Sequence, residues 1–259
     1  MIYTTGDTHQ TVHIGKLKRF LNDEGAHLTK DDYVIVCGDF GLLWNYKETG
    51  EYVPSNPADG CWAKKERQLY EWYNALPWTT LFVEGNHENY NRLQTYPVTN
   101  WCGGRVQKIS DSIIHLMRGE IYTIDGKTIF TFGGAQSTDR GPIANNTDLV
   151  VNKGWWPQEI PTDNEVLYGL DNLQNYNNTV DYIITHDCPL QYKNLIFALH
   201  GDRYGNEKAN EVSNKLDKFT SINFKHWFCG HLHRDETVKD LTILFHDVVP
   251  ITWNEGNND

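Results

Sequence analysis

The chain has 259 residues, 39% of them hydrophobic and 13% aromatic, with 23 Lys and Arg against 34 Asp and Glu for a formal net charge of −11. That length fits one large domain, and no apolar run approaches the ~20 residues that span a bilayer. The acidic balance and the lack of a basic run argue against extended nucleic acid as a partner. A strand and a polar motif open the chain at once, so a cleaved leader is not expected. Five cysteines without a C-x-x-C pair disfavour a disulfide framework. A soluble, cytoplasmic protein is the expectation, with Cys37, Cys188 and Cys229 as small buried residues.

In chain order, residues 2–5 and 33–37 read as strands, with a helix near 14–22 between them. An insert near 41–61, rich in Gly, Pro, Asn and aromatics, precedes a helix over 62–75 that Pro77 ends, and a strand over 81–83. This βαβαβ order implies parallel strands with crossover helices. Short strands follow at 112–116, 121–124 and 128–132, the last two joined by the hairpin signal Asp125-Gly126. Gly133-Gly134 marks either a close backbone approach to the site or a simple turn. It opens a polar loop near 133–160 that reaches Trp155, Trp156 and Pro157. Thr162 or Asp163 caps a helix running through 165–175. A strand at 182–185, a helix at 207–218, a strand at 226–229 and a hairpin around Lys239-Asp240 complete the order. The expected fold class is α/β (α+β): a single domain over 1–259, with two mixed β-sheets packed as a sandwich and flanking helices.

Polar motifs stand where the predicted strands end. They are Gly6-Asp7-Thr8-His9, Gly38-Asp39-Phe40, Gly85-Asn86-His87-Glu88, Thr185-His186-Asp187 and Gly230-His231-Leu232-His233. Residues far apart in sequence can therefore converge on one sheet edge. Asp7 and His9 flank a single residue and can reach one ion. Asp39 follows a glycine and can present both carboxylate oxygens, Asn86 adds a neutral amide oxygen, and His186, His231 and His233 add imidazole nitrogens. A nitrogen and oxygen set without thiolate favours manganese, iron or zinc. Asp187 either orients His186 or caps the turn at Pro189. His13, His27, His115, His200, His226 and His246 fall outside the motif order and read as surface or packing residues.

This order of motifs, D-x-H, GD, GNH followed by D or E, a lone His and GHxH, resembles that of the calcineurin-like metallophosphoesterases over residues 6–233. The resemblance implies the family's four-layer architecture and a dinuclear hydrolase of phosphate esters. One metal would be held by Asp7, His9, Asp39 and His233, the other by Asp39, Asn86, His186 and His231, with manganese the first choice and iron or zinc the others. It also implies a metal-bridged hydroxide attacking phosphorus, and His87 as the catalytic acid or phosphate contact. Protein serine/threonine phosphatases of this superfamily carry GDxxDR in the second motif, where this chain has Leu42 and Leu43. The chain thus resembles the bacterial or phage type rather than that branch, with a small phosphorylated substrate or nucleotide as partner. A nuclease, a protein phosphatase and a non-catalytic scaffold are the alternatives, and the full ligand set disfavours the scaffold.

The insert and the polar loop leave the same strand ends as the ligands and are the natural substrate walls. They carry Trp44, Tyr46, Tyr52, Trp101, Arg140, Trp155 and Trp156. Of these, Arg140, Trp44, Trp155 and Trp156 are the candidate substrate contacts, a rim able to stack a base and pair with phosphate. Packing of the tryptophans onto the core is the alternative.

Overall fold

A computed structural model of the protein describes residues 1–44, 64–137, 155–200 and 210–252. β1 (Ile2–Thr5), α1 (Gly15–Leu21) and β2 (Tyr33–Val36) open the chain, and α2 (Lys64–Ala75) leads into β3 (Thr79–Phe82). Next come α3 (Tyr90–Leu93), β4 (Val98–Trp101), β5 (Gly104–Ser110), β6 (Ile113–Leu116), β7 (Glu120–Ile124) and β8 (Lys127–Phe132). The remainder is α4 (Asp163–Asn175), β9 (Tyr182–Thr185), α5 (Leu190–His200), α6 (Glu211–Leu216), β10 (His226–Cys229), β11 (Glu236–Val238), β12 (Leu241–Ile243) and β13 (Val249–Pro250).

The strands form two mixed sheets, ordered β13-β1-β2-β3-β6-β5-β4 and β11-β12-β10-β9-β8-β7. The centre of each is parallel, β1 to β2 to β3 to β6 in one and β8 to β9 to β10 to β12 in the other. Antiparallel strands lie at the edges, so the carboxyl ends of β1, β2, β3, β9 and β10 carry the five polar motifs. Alternation explains why these strands read as unbroken apolar runs. Val34 and Val36 pack outward with Leu17, Phe20, Leu69 and Tyr73 under α1 and α2. Ile35 and Cys37 point the other way and share a core with Ile184 and Phe228 of the second sheet. Ile183, Trp227 and Cys229 face the opposite outer side, with Val166, Leu173, Ile196 and Val212 of α4, α5 and α6. The layers are therefore helix, sheet, sheet, helix. Among the described residues no helix is long and apolar enough to cross a membrane.

The Thr162 side chain caps α4, accepting from the Glu165 backbone N–H while Glu165 reaches back to the Thr162 N–H, a reciprocal capping box. Asp125 and Gly126 turn the β7–β8 hairpin at φ +50° and +73°, the left-handed pair that a two-residue hairpin needs. The β4–β5 hairpin, absent from the sequence reading, turns the same way at Cys102 and Gly103, with φ +50° and +96°. Trp101 consequently lies in a strand, its ring 5.7 Å from that of Tyr33 and 6.3 Å from that of Tyr122, and packs against the sheet. α5 was also unforeseen; its buried positions, Tyr192, Lys193 and Ile196, include a charged residue that breaks the apolar stripe. The helix expected over 207–218 has its described part in α6, capped by Asn210, whose side chain accepts from the Ser213 N–H at 2.8 Å. Most of the two expected loop inserts, residues 45–61 and 138–154, with Tyr46, Tyr52 and Arg140, lies outside the described residues.

Candidate metal centre

The five strand ends bring Asp7, His9, Asp39, Asn86, His186, His231 and His233 to one place between the sheets. Ligand atoms of Asp7, His9, Asp39 and His233 all lie within 4.8 Å of one another, as do those of Asp39, His186 and His231. Asp39 belongs to both groups. Asn86 joins the second through its Oδ1, 3.3 Å from His186 Nε2. His186 is fixed from behind, its Nδ1 lying 2.7 Å from the Cys37 carbonyl. That bond makes Nδ1 the donor and turns Nε2 to the centre, 3.2 Å from Asp39 Oδ1.

Asp7 and Asp39 are both buried, and their cationic partners within salt-bridge distance among the described residues are histidines. Burial disfavours the Asp39 anion, but His186, His87 and His9 hold its carboxyl well below the usual range. Burial likewise pushes His186 down, and Asp39 beside it outweighs this and lifts it to about 10. In this arrangement a protonated imidazole supplies the positive charge that two buried carboxylates require. His9 Nε2 and His233 Nε2 face each other at 3.0 Å, a spacing that suits one shared proton or one cation. Carboxylate oxygens, an amide oxygen and imidazole nitrogens converging around buried negative charge are a donor set that fits hard or borderline dications.

The backbone here is strained. His9, Asp39, His231 and His233 have φ of +44°, +48°, +65° and +48°, a left-handed conformation that costs of order 1–3 kcal/mol per non-glycine residue. The surrounding hydrogen bonds hold it: the Thr8 and His9 N–H groups both donate to the Asp39 carbonyl, at 3.1 and 2.8 Å. The His231 N–H donates to Asp7 Oδ2 at 3.0 Å, and the His87 N–H to Asp39 Oδ1 at 2.7 Å. Glu88 ties the third motif to the second, accepting from the Phe40 N–H at 2.7 Å and the Gly41 N–H at 3.2 Å. It therefore secures the loop and does not orient the His87 ring.

Two glycines make room for candidate ligands. A Cβ on Gly38, which also has φ +85°, would meet the His186 ring at 2.3 Å, and one on Gly85 would meet Asp39 Oδ1 at 2.1 Å. Gly85→Ala is expected to expel the Asp39 carboxylate from its place and to lose most bound metal. Gly15→Ala is the control, because its Cβ would meet only Arg19, at 3.8 Å. Elemental analysis of the purified variants decides; wild-type metal content in Gly85→Ala would refute this account of the glycine.

The candidate substrate residues separate. Trp44 is half-buried, its ring 5.8 Å from that of His87 and 5.2 Å edge-on to Trp156. Trp156 is fully buried; it backs Trp44 and offers no exposed face for stacking, as its place in a polar loop had suggested. Trp155 is half-buried, and Arg140 lies outside the described residues. Of the histidines read as surface or packing residues, His13 comes near the centre, its ring 5.2 Å from that of His9 and 5.8 Å from that of His233.

Sequence reasoning missed two supports. The Lys16 ammonium is buried and donates to three carbonyls, Gly6 at 2.9 Å, Asp7 at 2.8 Å and Phe245 at 2.5 Å, pinning the end of β1 to the chain beneath it. Burial lowers Lys16 to about 8 despite Asp7 nearby. Behind the third motif, Glu84 pairs with Arg118 at 2.5 Å and with His115 at 2.7 Å. Arg118 donates to Tyr90 Oη at 3.0 Å, and that hydroxyl donates to the Gly85 carbonyl at 2.7 Å. Gly133 packs on Glu84, where a Cβ would come within 2.5 Å of Oε2, so its close approach is to this network and not to the ligands. Asp187, left open from sequence, accepts from the Cys188 N–H at 2.7 Å and pairs with the buried Lys193 at 2.6 Å.

A family model described as Calcineurin-like phosphoesterase matches residues 1–235. The lariat debranching enzyme of Drosophila melanogaster is 23% identical over 227 residues, covering 79% of this chain and 38% of that protein. That of Schizosaccharomyces pombe is 24% identical over 219 residues, covering 80% and 44%. The chain thus spans less than half the length of these curated relatives. Among solved structures, phosphopantetheinyl hydrolase from Mycobacterium tuberculosis aligns over 100% of this chain and 92% of its own, at 13% identity and a TM-score of 0.46. With the family model covering nearly all of the chain and every motif falling at a strand end, the chain belongs to the calcineurin-like phosphoesterase family.

Proposed function

We propose that the protein is a dinuclear metal-dependent phosphodiesterase acting on a nucleotide or a short stretch of RNA. The observation that carries the metal chemistry is the pair of ligand groups sharing Asp39. Asp7, His9, Asp39 and His233 would hold one ion, and Asp39, Asn86, His186 and His231 the other, with manganese the first candidate. When bound, such a pair supplies Lewis acidity to the phosphoryl oxygens and acidifies water enough to attack phosphorus near neutral pH. The protein's own groups do the rest. The carboxylates and imidazoles would hold the two ions in place, and the His87 ring donates a proton to the leaving ester oxygen as the P–O bond breaks and the new one to water oxygen forms. Trp44, braced by Trp156, walls the side of His87.

Two observations favour a diester. The chain's curated relatives debranch lariats. Leu42 and Leu43, at the positions of the phosphatase Asp-Arg pair, are buried in the outer core with Phe40 and Tyr73, so that guanidinium, suited to gripping a dianionic phosphate, is missing there. The net charge of −11 counts less than it did from sequence. A phosphodiester drawn to a cation pair needs no long basic track, because the ions dominate the local field.

The manganese-loaded protein is expected to cleave bis(p-nitrophenyl) phosphate, cyclic nucleotides or short linear and branched RNAs at least ~10-fold faster than p-nitrophenyl phosphate, a difference of about 1.4 kcal/mol in barrier. Phosphopeptides should be the poorest substrates. A phosphopeptide preference in a side-by-side assay would reverse the reading of Leu42 and Leu43, and inactivity with manganese, iron and zinc alike would remove the enzyme assignment.

A further inference from the structure

His233 is the one exposed residue among the seven proposed ligands, with 46% of its side chain accessible, and its backbone is left-handed at φ +48°. The buried ligand His186 is oriented by the Cys37 carbonyl behind its Nδ1. Among the described residues no such hydrogen bond reaches His233 Nδ1. A ring without an anchor must give up rotamer freedom when it takes an ion, which weakens the site.

The neighbouring strand supplies an anchor of another kind. β12 pairs parallel with β10, Cys229 beside Ile243, and the Leu244 N–H donates to the Cys229 carbonyl at 2.8 Å. The chains leaving the two strands therefore emerge side by side. Phe245 comes to lie flat on His233, with ring centroids 4.6 Å apart and planes 15° apart. Phe245 is itself fixed at both ends of its backbone. Its N–H donates to Asp235 Oδ1 at 2.7 Å, and its carbonyl accepts from the buried Lys16 ammonium, which also holds the Gly6 and Asp7 carbonyls. One ammonium thus ties the backbone of Asp7 to the residue that faces His233. The ring contacts of Phe245 among the described residues are His13, His233 and His246, so Asn86, His186 and His231 do not lean on it.

We propose that Phe245 is a positioning residue for His233 and sets the affinity of the first metal position, formed by Asp7, His9, Asp39 and His233, while the second is independent of it. This rests on the dinuclear reading of the two ligand groups.

The test is electron paramagnetic resonance of metal-free protein refilled with manganese at a level that just saturates the wild type. Two manganese ions ~3.5–4 Å apart are spin-coupled, and a lone ion is not. Phe245→Ala should weaken one position by at least ~10-fold, the lower bound for loss of an outer support of a metal ligand, and show the signal of an isolated ion. That signal should match the one from His9→Ala, which lacks a first-position ligand, and differ from that of His231→Ala. Phe245→Leu fills the space without a flat face and should behave like the alanine variant, which keeps the test open should alanine unfold. Phe245→Tyr keeps the face and should keep the coupled pair. A coupled pair in the leucine variant, an isolated-ion signal in the tyrosine variant, loss of both ions, or a match to His231→Ala would overturn the inference. An uncoupled signal in the wild type would instead remove the dinuclear reading, and this inference with it.

Discussion

Asp39→Asn is expected to abolish hydrolysis and strip metal from the protein. Asp39 is the one carboxylate in both ligand groups, and the substitution replaces a two-oxygen anion by an amide with one acceptor. The loss should exceed the ~10–100-fold that follows removal of an outer hydrogen-bond partner of a metal ligand. A proton count gives an independent readout. With Asp39 in place, metal-free His186 has its pKa lifted to about 10 and is protonated at pH 8, whereas a metal-bound imidazole is neutral. Wild-type protein titrated with manganese at pH 8 in weak buffer should therefore release about one proton per chain from His186. The Asn variant, without the charge that raises His186, should release less. Affinity for metal in the wild type should rise with pH for the same reason. Full activity and two bound ions in Asp39→Asn would end the shared-ligand account.

The legibility of this centre in sequence has a physical basis. A strand buried on both faces is a continuous apolar run, so the abrupt switch to Asp7, Asp39, Asn86, His186 and His231 marks the points where chains leave the sheets. What sequence could not give is the geometry that makes those residues converge. The left-handed backbone at His9, Asp39, His231 and His233 is maintained by tertiary hydrogen bonds and leaves no compositional trace beyond neighbouring glycines. Lys16 was unreadable for a related reason. Its partners are backbone carbonyls, one of them 229 residues away, and every residue type supplies a carbonyl. The Glu84, His115 and Arg118 cluster reads as scattered charge until two sheets bring it inside. Trp156 shows the converse error: a tryptophan in a polar stretch suggests an exposed stacking surface, yet burial of so large a ring is strongly favoured whenever the fold offers room.

His87→Ala should lower turnover by ~10²–10⁴, the range for loss of a general acid, with metal content close to wild type. Neither ligand group contains His87, and its hydrogen bond to the centre runs from its backbone N–H to Asp39, which alanine retains. The side chain packs against rings, 4.9 Å from His9 and 5.8 Å from Trp44. If the ring delivers a proton, its loss must matter most where the leaving oxygen is basic. The variant should thus lose far more activity on an RNA or alkyl phosphodiester than on bis(p-nitrophenyl) phosphate, whose leaving group departs as a stable anion. Trp44→Ala, which frees the ring without removing it, should show the same leaving-group dependence at smaller amplitude. Equal losses on both substrates would make His87 a phosphate-binding group and not the acid. A vacant metal position in His87→Ala would count it among the ligands.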